Sequence, residues 1–266
     1  MRQPAQGSLR IILDGDRPGP ANMALDQSLL DLAKDQAVLR LYGWSPACLS
    51  LGYFQELDQV CDPAFVRAAG LGLARRPTGG GGILHQHELT LSVALPAAHP
   101  ACGLALEESY GFLTQPVVEL LAGLGLESRL RGAGSSEARP PSHKASAGQA
   151  ANCFAGSAST DLLCGQSKVF GSAQRRRPHA LLFHGSLLLD IDQALWQGAF
   201  GSRLGQGFTC LRAQLGRRVQ AASLAGPLAQ GYARSLNLEP QASEPTAAES
   251  SQAQALEPRF TIAAQA

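Results

Sequence analysis

The sequence predicts an α+β fold, a mixed or antiparallel sheet flanked by helices. Three observations carry this. Segments with strand patterning follow one another closely, at 38–42, 48–53, 71–75 and 89–95, then near 161–164, 168–172 and 180–190. Leu89-Thr90-Leu91-Ser92-Val93-Ala94-Leu95 alternates strictly, as a strand with one apolar face does. Helical spacing of apolar residues is confined to about 22–33, 106–124 and 208–236. Strands adjacent in sequence with two or three helices point to α+β rather than to a doubly wound sheet.

Each element has its own punctuation. Leu9–Leu13 is a short apolar strand, after which Pro18-Gly19-Pro20 breaks the chain. Asn22 is the expected N-cap of a helix carrying Leu25, Leu29, Leu32 and Ala33 on one face. Val38–Tyr42 and Cys48–Tyr53 read as half-buried strands. Asp62, Pro63 and Gly70 supply the N-cap, first-turn proline and C-terminal glycine of a short helix. Leu71–Arg75 is again a strand, and the 106–124 helix stops at Gly125. From Glu127 to about Gln149 the composition turns to Gly, Ser, Arg, Pro and Ala, which reads as a mobile loop, long enough to be a binding loop. Strands resume at Asp161–Cys164, Lys168–Ser172 and Ala180–Asp190, the first two joined by a turn at Gly165-Gln166. Beyond Leu238 the chain is Ala, Ser, Gln, Glu and Pro with few large apolar residues, so residues 239–266 are expected to be a disordered, dispensable tail.

Composition narrows the function classes. The chain has 266 residues, 45% apolar and 16% charged, within the roughly 250–300 residues that one core can serve. A net charge of +1 argues against a dedicated nucleic-acid binder. No apolar stretch reaches the ~18 residues of a membrane span, and the N-terminus lacks a signal-peptide core. Six scattered cysteines form no C-x-x-C pair, which fits free thiols in a cytoplasmic enzyme.

The loudest motif is Arg75-Arg76-Pro77-Thr78-Gly79-Gly80-Gly81-Gly82. Four glycines expose backbone N–H groups and admit close approach of a ligand, and two arginines add fixed charge. No Gly-Lys-Ser/Thr follows, so it is not a Walker A loop, and a flexible hairpin is the plainer alternative. His85-Gln86-His87 could offer two imidazoles to a metal, but no third ligand stands at a convincing spacing; a histidine bonded to the glycine loop fits better. Lysine is scarce, and Lys168 precedes the small residues Gly171-Ser172-Ala173, as an oxyanion or phosphate partner would; a solvated strand end is the alternative. If it lies at a cavity edge, its loss should leave stability nearly unchanged. Cys153 is either a buried thiol or a nucleophile. Arg175-Arg176-Arg177 is either a solvated edge or a dock for an acidic partner.

As an ordered set, several segments resemble the superfamily of lipoate-protein ligases, biotin ligases and octanoyltransferases, and within it most the cysteine-dependent octanoyltransferases. They are Pro20–Asp26, Tyr42-Gly43-Trp44, Leu49–Gln55, Arg75–Gly80, Leu84-His85, Glu88-Leu89-Thr90, Cys153-Phe154, Lys168–Arg175 and His184-Gly185-Ser186. The resemblance implies a catalytic domain of the class II biotin synthetase type over residues 1–238. It implies that Cys153 takes an octanoyl group from an acyl carrier protein thioester. Lys168 would hold the acyl carbonyl and assist the incoming lysine of a lipoyl domain, either the glycine cleavage H protein or an E2 domain. Arg75, Arg76, Thr78 and Gly79–Gly82 would line the acyl tunnel. His85, Gly171, Ser172, Ala173, His184 and Gly185 would complete the pocket. No metal or other cofactor is implied.

Two residues depart from that pattern. Gly81 stands where the transferases carry arginine and the ligases a third glycine, and Gln86 stands where a His-Asp pair is usual. The alternatives are an ATP- and magnesium-dependent lipoate ligase, an amidotransferase between carrier domains, and an inactive binding module.

Overall fold

The computed structural model describes residues 7–132 and 158–263. The strands are β1 (Ser8–Arg17), β2 (Ala37–Trp44), β3 (Cys48–Leu51), β4 (Gly72–Arg75), β5 (Ile83–His85), β6 (Glu88–Pro96), β7 (Ser128–Leu130), β8 (Leu162–Cys164), β9 (Ser167–Arg177), β10 (Ala180–Leu188) and β11 (Glu239–Ser243). The helices are α1 (Gly19–Leu32), α2 (Leu57–Val60), α3 (Pro63–Ala68), α4 (Leu106–Gly123), α5 (Gln193–Phe200), α6 (Leu211–Leu215), α7 (Ala221–Leu236) and α8 (Ala247–Leu256).

Eight strands form one sheet in the order β11-β1-β2-β6-β10-β9-β8-β7, and β4-β3-β5 form a second, smaller one. β1 pairs in parallel with β2 and β11, whereas the run from β2 through β6, β10, β9 and β8 to β7 is antiparallel. The mixed sheet flanked by helices is the α+β class the sequence predicts.

The large sheet is covered on both faces, and the strand alternation divides it chemically. Leu39 and Leu41 of β2, Leu89, Leu91, Val93 and Leu95 of β6, and Leu181, Phe183 and Leu187 of β10 join the main core with α4 and α7. The intervening residues face α1, because successive side chains of a strand point to opposite faces. At one end of the strands Val38, Ala94 and Leu182 pack on Leu25 and Leu29 of α1; farther along the residues are polar, Arg40, Tyr42, Thr90, Ser92, His184 and Ser186, and all six are buried. A second core joins Leu49 and Leu51 of β3 and Ile83 and Leu84 of β5 to Trp196 and Phe200 of α5.

Four sequence expectations are corrected. Asn22 does not cap α1: Pro18 is the N-cap, a proline occupies the first turn, and Asn22 is wholly buried inside the helix. Its Nδ2 donates to the carbonyls of Gly43 and Arg17 at 2.9 and 3.3 Å. The mobile loop expected over 127–149 begins instead as β7, paired antiparallel with β8, because Leu126 and Leu130 pack against the main core. The rest of that stretch, from residue 133, lies outside the described residues. The helical region 208–236 is two helices, interrupted where Gly216 adopts φ +67°.

The fourth correction is the largest. The segment after Leu238 is ordered: β11 extends the sheet alongside β1, and α8 packs on α1. Parallel pairing satisfies backbone groups without any apolar side chain, so the polar composition misled. Polar contacts then fix α8. Arg10 donates to both Glu249 carboxylate oxygens, at 2.6 and 2.9 Å, and Ser28 Oγ donates to the Glu249 carbonyl at 2.8 Å. Phe260, 7% exposed, enters a cluster with Met23, Trp44 and Cys48.

Candidate functional site

Antiparallel register places the polar residues in two rows under α1. Tyr42, Thr90, Ser186 and Gly171 lie across β2, β6, β10 and β9, and Arg40, Ser92, His184 and Ala173 form the adjoining row. Directly paired residues on one face are near neighbours, so each row is a continuous surface. Small residues at Gly171, Ser172, Ala173 and Gly185 leave a cleft over the rows, roofed by the Arg76–Gly82 loop between β4 and β5. Met23, Tyr42, Trp44 and Ile83 complete its walls, which are mostly apolar.

One end of the cleft is organised by Asp26 of α1, which is fully buried. It accepts from Arg40 Nη1 (2.9 Å), Ser92 Oγ (2.8 Å), Tyr42 Oη (2.8 Å) and His184 Nδ1 (3.2 Å). Burial works to raise this carboxyl, but the His184 hydrogen bond and the Arg40 charge outweigh it and hold Asp26 below the ordinary aspartate value. Tyr42 moves the other way, through burial and the Asp26 charge, and stays a hydrogen-bond donor. His184 bridges two elements: its Nδ1 meets Asp26, and its Nε2 lies 2.7 Å from Thr78 Oγ1. Asp26 thereby anchors the glycine loop through His184.

A second chain of hydrogen bonds fixes the other side of the loop. Arg76 Nη1 donates to Ser50 Oγ at 2.8 Å, Ser50 Oγ–H donates to His85 Nε2 at 2.6 Å, and His85 Nδ1–H donates to Glu88 at 2.7 Å. Arg76 Nη2 also holds the carbonyls of Gly79 and Gly81, at 3.2 and 2.7 Å. Trp44 stacks on the His85 ring, 3.7 Å between centroids, and its Nε1–H donates to Thr90, which donates to Glu88. Burial pushes His85 below the usual histidine value despite the nearby Glu88, so the ring is neutral at pH 7. Glu88 is also lowered, because its His85 and Thr90 hydrogen bonds outweigh burial. A carboxylate and a guanidinium, both buried, are thus joined through two neutral groups.

The structure gathers Arg76, Gly79, Gly80, His85, Gly171, Ser172, Ala173, His184 and Gly185 around the cleft. Thr78 and Gly81 are held just behind it by the bonds to His184 and Arg76. Arg75 points away, its Nη1 bonded to the carbonyls of Gly52, Tyr53 and Gln55. Gly82 leads into β5 and is buried. His87 is exposed while His85 is buried, so the two imidazoles do not share a site. Lys168 is buried beside β8, its Nζ 2.5 Å from Asp161 Oδ1, rather than solvated at a strand end. Cys153 lies outside the described residues. Asp26, Arg40, Ser50, Trp44, Glu88 and Asp161 belong to these networks and were not singled out as site residues. Asp26, Trp44, Ser50 and Glu88 do fall in segments that carry the family resemblance.

This fold, with a roofed cleft on the polar face of its sheet, defines a class. The chain belongs to the lipoyl protein ligase A/B catalytic domain family, whose model matches residues 18–233. It is 36% identical over 261 residues to the octanoyltransferase LipM of Symbiobacterium thermophilum, covering 93% of each chain. It is 38% identical over 189 residues to the LipM of Geobacillus kaustophilus, covering 70% of this chain and 67% of the relative. Its fold matches, with a TM-score of 0.74 at 20% identity, a chain from the structure of the bi-partite lipoate protein ligase and its E2 lipoyl domain from Thermoplasma acidophilum. That match covers 96% of this chain and 93% of the other.

Proposed function

We propose that this chain is a cytoplasmic acyltransferase that moves an octanoyl group from an acyl carrier protein to the lysine of a lipoyl domain, the glycine cleavage H protein or an E2 domain. The observation that carries the reading is the 36% identity to an octanoyltransferase across nearly the whole of both chains. The apolar cleft supports it, since each methylene removed from water contributes roughly 0.8 kcal/mol before entropy costs.

A thioester is already activated, so the reaction uses no nucleotide. In the first step the Cys153 thiolate attacks the thioester carbon, the new C–S bond forms, and the donor's thiolate leaves. Splitting amide formation in this way replaces one difficult step by two easier ones. In the second step the neutral amine of the acceptor lysine attacks the same carbon. The C–N bond forms, the bond to Cys153 breaks, and the amine's surplus proton is released. The Lys168 ammonium stabilises the oxyanion in both steps. The networks of Asp26 and Glu88 hold the loop that covers the acyl chain.

The test is intact-mass spectrometry of the chain with octanoyl-acyl carrier protein and a lipoyl domain, with and without ATP. The expected result is an octanoyl adduct on the enzyme and octanoylated lipoyl domain without ATP. Cys153→Ser should lose the adduct, whereas Cys48→Ser and Cys210→Ser should keep it. Gly81, which stands where transferases carry arginine, favours an ATP-dependent ligase as the second reading. Acceptor modification only with ATP, and undiminished in Cys153→Ser, would select it.

A further inference from the structure

Tyr53 and Phe54 follow β3 and are 49% and 76% exposed, an unusual position for two large aromatic side chains. Their rings meet edge to face, 4.9 Å between centroids. They stand on the rim of the cleft: Tyr53 N–H donates to the Thr78 carbonyl at 2.9 Å, and Arg175, bonded to the Pro77 carbonyl, lies over the Tyr53 ring at 5.5 Å.

Positive charge is concentrated at the same rim. Arg177, two residues along β9 from Arg175, is exposed, as is Arg259, which precedes the Phe260 carbonyl that accepts from Arg75 N–H; neither side chain forms a hydrogen bond or ion pair among the described residues. Burial first, then the Arg177 charge and, most weakly, the Arg259 charge hold Arg175 below the ordinary arginine value. The carboxylate that reaches Arg175, Asp31, is already engaged by Gln27 and Gln252 at 2.6 and 3.3 Å. Asp31 keeps its single charge, so three arginines share one carboxylate, and like charges crowded with too little counter-charge are unfavourable until a partner supplies it. Exposed aromatics beside arginines are also the composition of interface hot spots.

We propose that the rim formed by Tyr53, Phe54, Arg175, Arg177 and Arg259 docks the acceptor protein through an acidic surface beside its target lysine. The proposal rests on the acyltransferase reading above. Reach selects the acceptor over the donor. A lysine carries its nitrogen on a four-carbon stem, so the acceptor's own surface must lie against the cleft mouth. A donor holding its acyl group on a phosphopantetheine arm can sit farther away.

The test compares the wild-type chain with Phe54→Ala and Arg177→Glu/Arg259→Glu, reading octanoyl loading of the enzyme and transfer to a lipoyl domain separately. Loading and kcat should match wild type. The KM for the acceptor should rise on the order of 30-fold in Phe54→Ala, the loss of one hot spot. The arginine variant should show a comparable rise and a weaker salt dependence, and lysine substitutions on the acceptor's acidic face should restore its binding. An unchanged acceptor KM in both variants, with normal wild-type transfer, would overturn the docking surface. So would a rise in donor KM alone. Absence of transfer by the wild type would overturn the underlying reading, and the docking surface with it.

Discussion

The Lys168 ammonium lies 2.5 Å from the Asp161 carboxylate, and both side chains are closed off from water. Asp161 Oδ2 also accepts from the Ala158 N–H at 2.9 Å, so the pair ties β9 to the turn that leads into β8. The expectation that losing Lys168 leaves stability unchanged does not survive this geometry. Removing Lys168 leaves buried Asp161 with only the longer, partly exposed contact to Arg131 Nε at 3.7 Å, and breaking a buried pair costs about 3–5 kcal/mol.

Lys168→Ala is therefore expected to lower both stability and rate, the rate by about 10²–10³-fold for one lost oxyanion donor. Lys168→Ala/Asp161→Ala separates the two effects. Urea unfolding should recover most of the stability, while octanoyl transfer stays as slow as in the single variant. Recovery of the rate together with stability would make Lys168 structural.

Low pH should strike the cleft in two stages. The neutral His85 has a folded-state value below that of the unfolded chain, so stability is complete above about 6.5 and declines as pH falls through the folded value. Glu88 and Asp26 are lowered in the same sense: their contributions are complete above about 4.5 and about 3.8 respectively, and are lost as pH falls through the folded values. Glu88→Gln removes the charge that faces Arg76 through His85 and Ser50. It should cost about 1–3 kcal/mol, raise the KM for the acyl donor, and flatten the acid limb of a stability-against-pH curve. An unaltered acid limb would remove Glu88 from the coupling.

Much of the fold was legible because alternation and helix punctuation are local. Asp62 accepts from Ala64 and Phe65 N–H as its motif predicts, and β6 runs over the alternating segment. The site was less legible. Arg40 and Tyr42 sit in a segment that alternates like a half-buried strand, whose polar face would meet water, yet they are 0% and 2% exposed. Their face is covered by α1, a helix with Asn22, Asp26 and Ser28 turned inward, and no local pattern reveals which sheet face a helix will cover. The glycine loop and Lys168 stood out by composition. Glu88 did not, because its role depends on Ser50 and Arg76, which are distant in sequence.

The glycines around the loop make a prediction with its own control. A Cβ on Gly52 would lie 2.0 Å from the Gly80 carbonyl oxygen, a backbone atom that can yield only if the loop moves. Gly79 faces open space and lacks a positive φ. Gly52→Ala should slow transfer at least tenfold with a modest loss of stability, as displaced positioning groups do. Gly79→Ala should be close to wild type in melting temperature and in rate. Equal effects of the two variants would mean that the loop's position does not govern the cleft.

The C-terminal segment supplies the last prediction, opposite to the one its composition suggests. Ending the chain at Leu238 removes β11 from the edge of β1, exposing the backbone groups of residues 8–12 that it pairs with. It also removes Phe260, whose carbonyl accepts from the Arg75 N–H at 2.9 Å, next to the glycine loop. Arg10, 8% exposed, is left without the carboxylate it meets at 2.6 Å. Glu249→Ala alone should cost on the order of 3 kcal/mol, the lower range for breaking a buried pair. The truncation should cost more and should also reduce transfer, because Arg75 lies immediately before Arg76. Differential scanning calorimetry beside the transfer assay distinguishes the outcomes: a chain ending at Leu238 that melts with the full-length protein would show that α8 and β11 rest on the domain without supporting it.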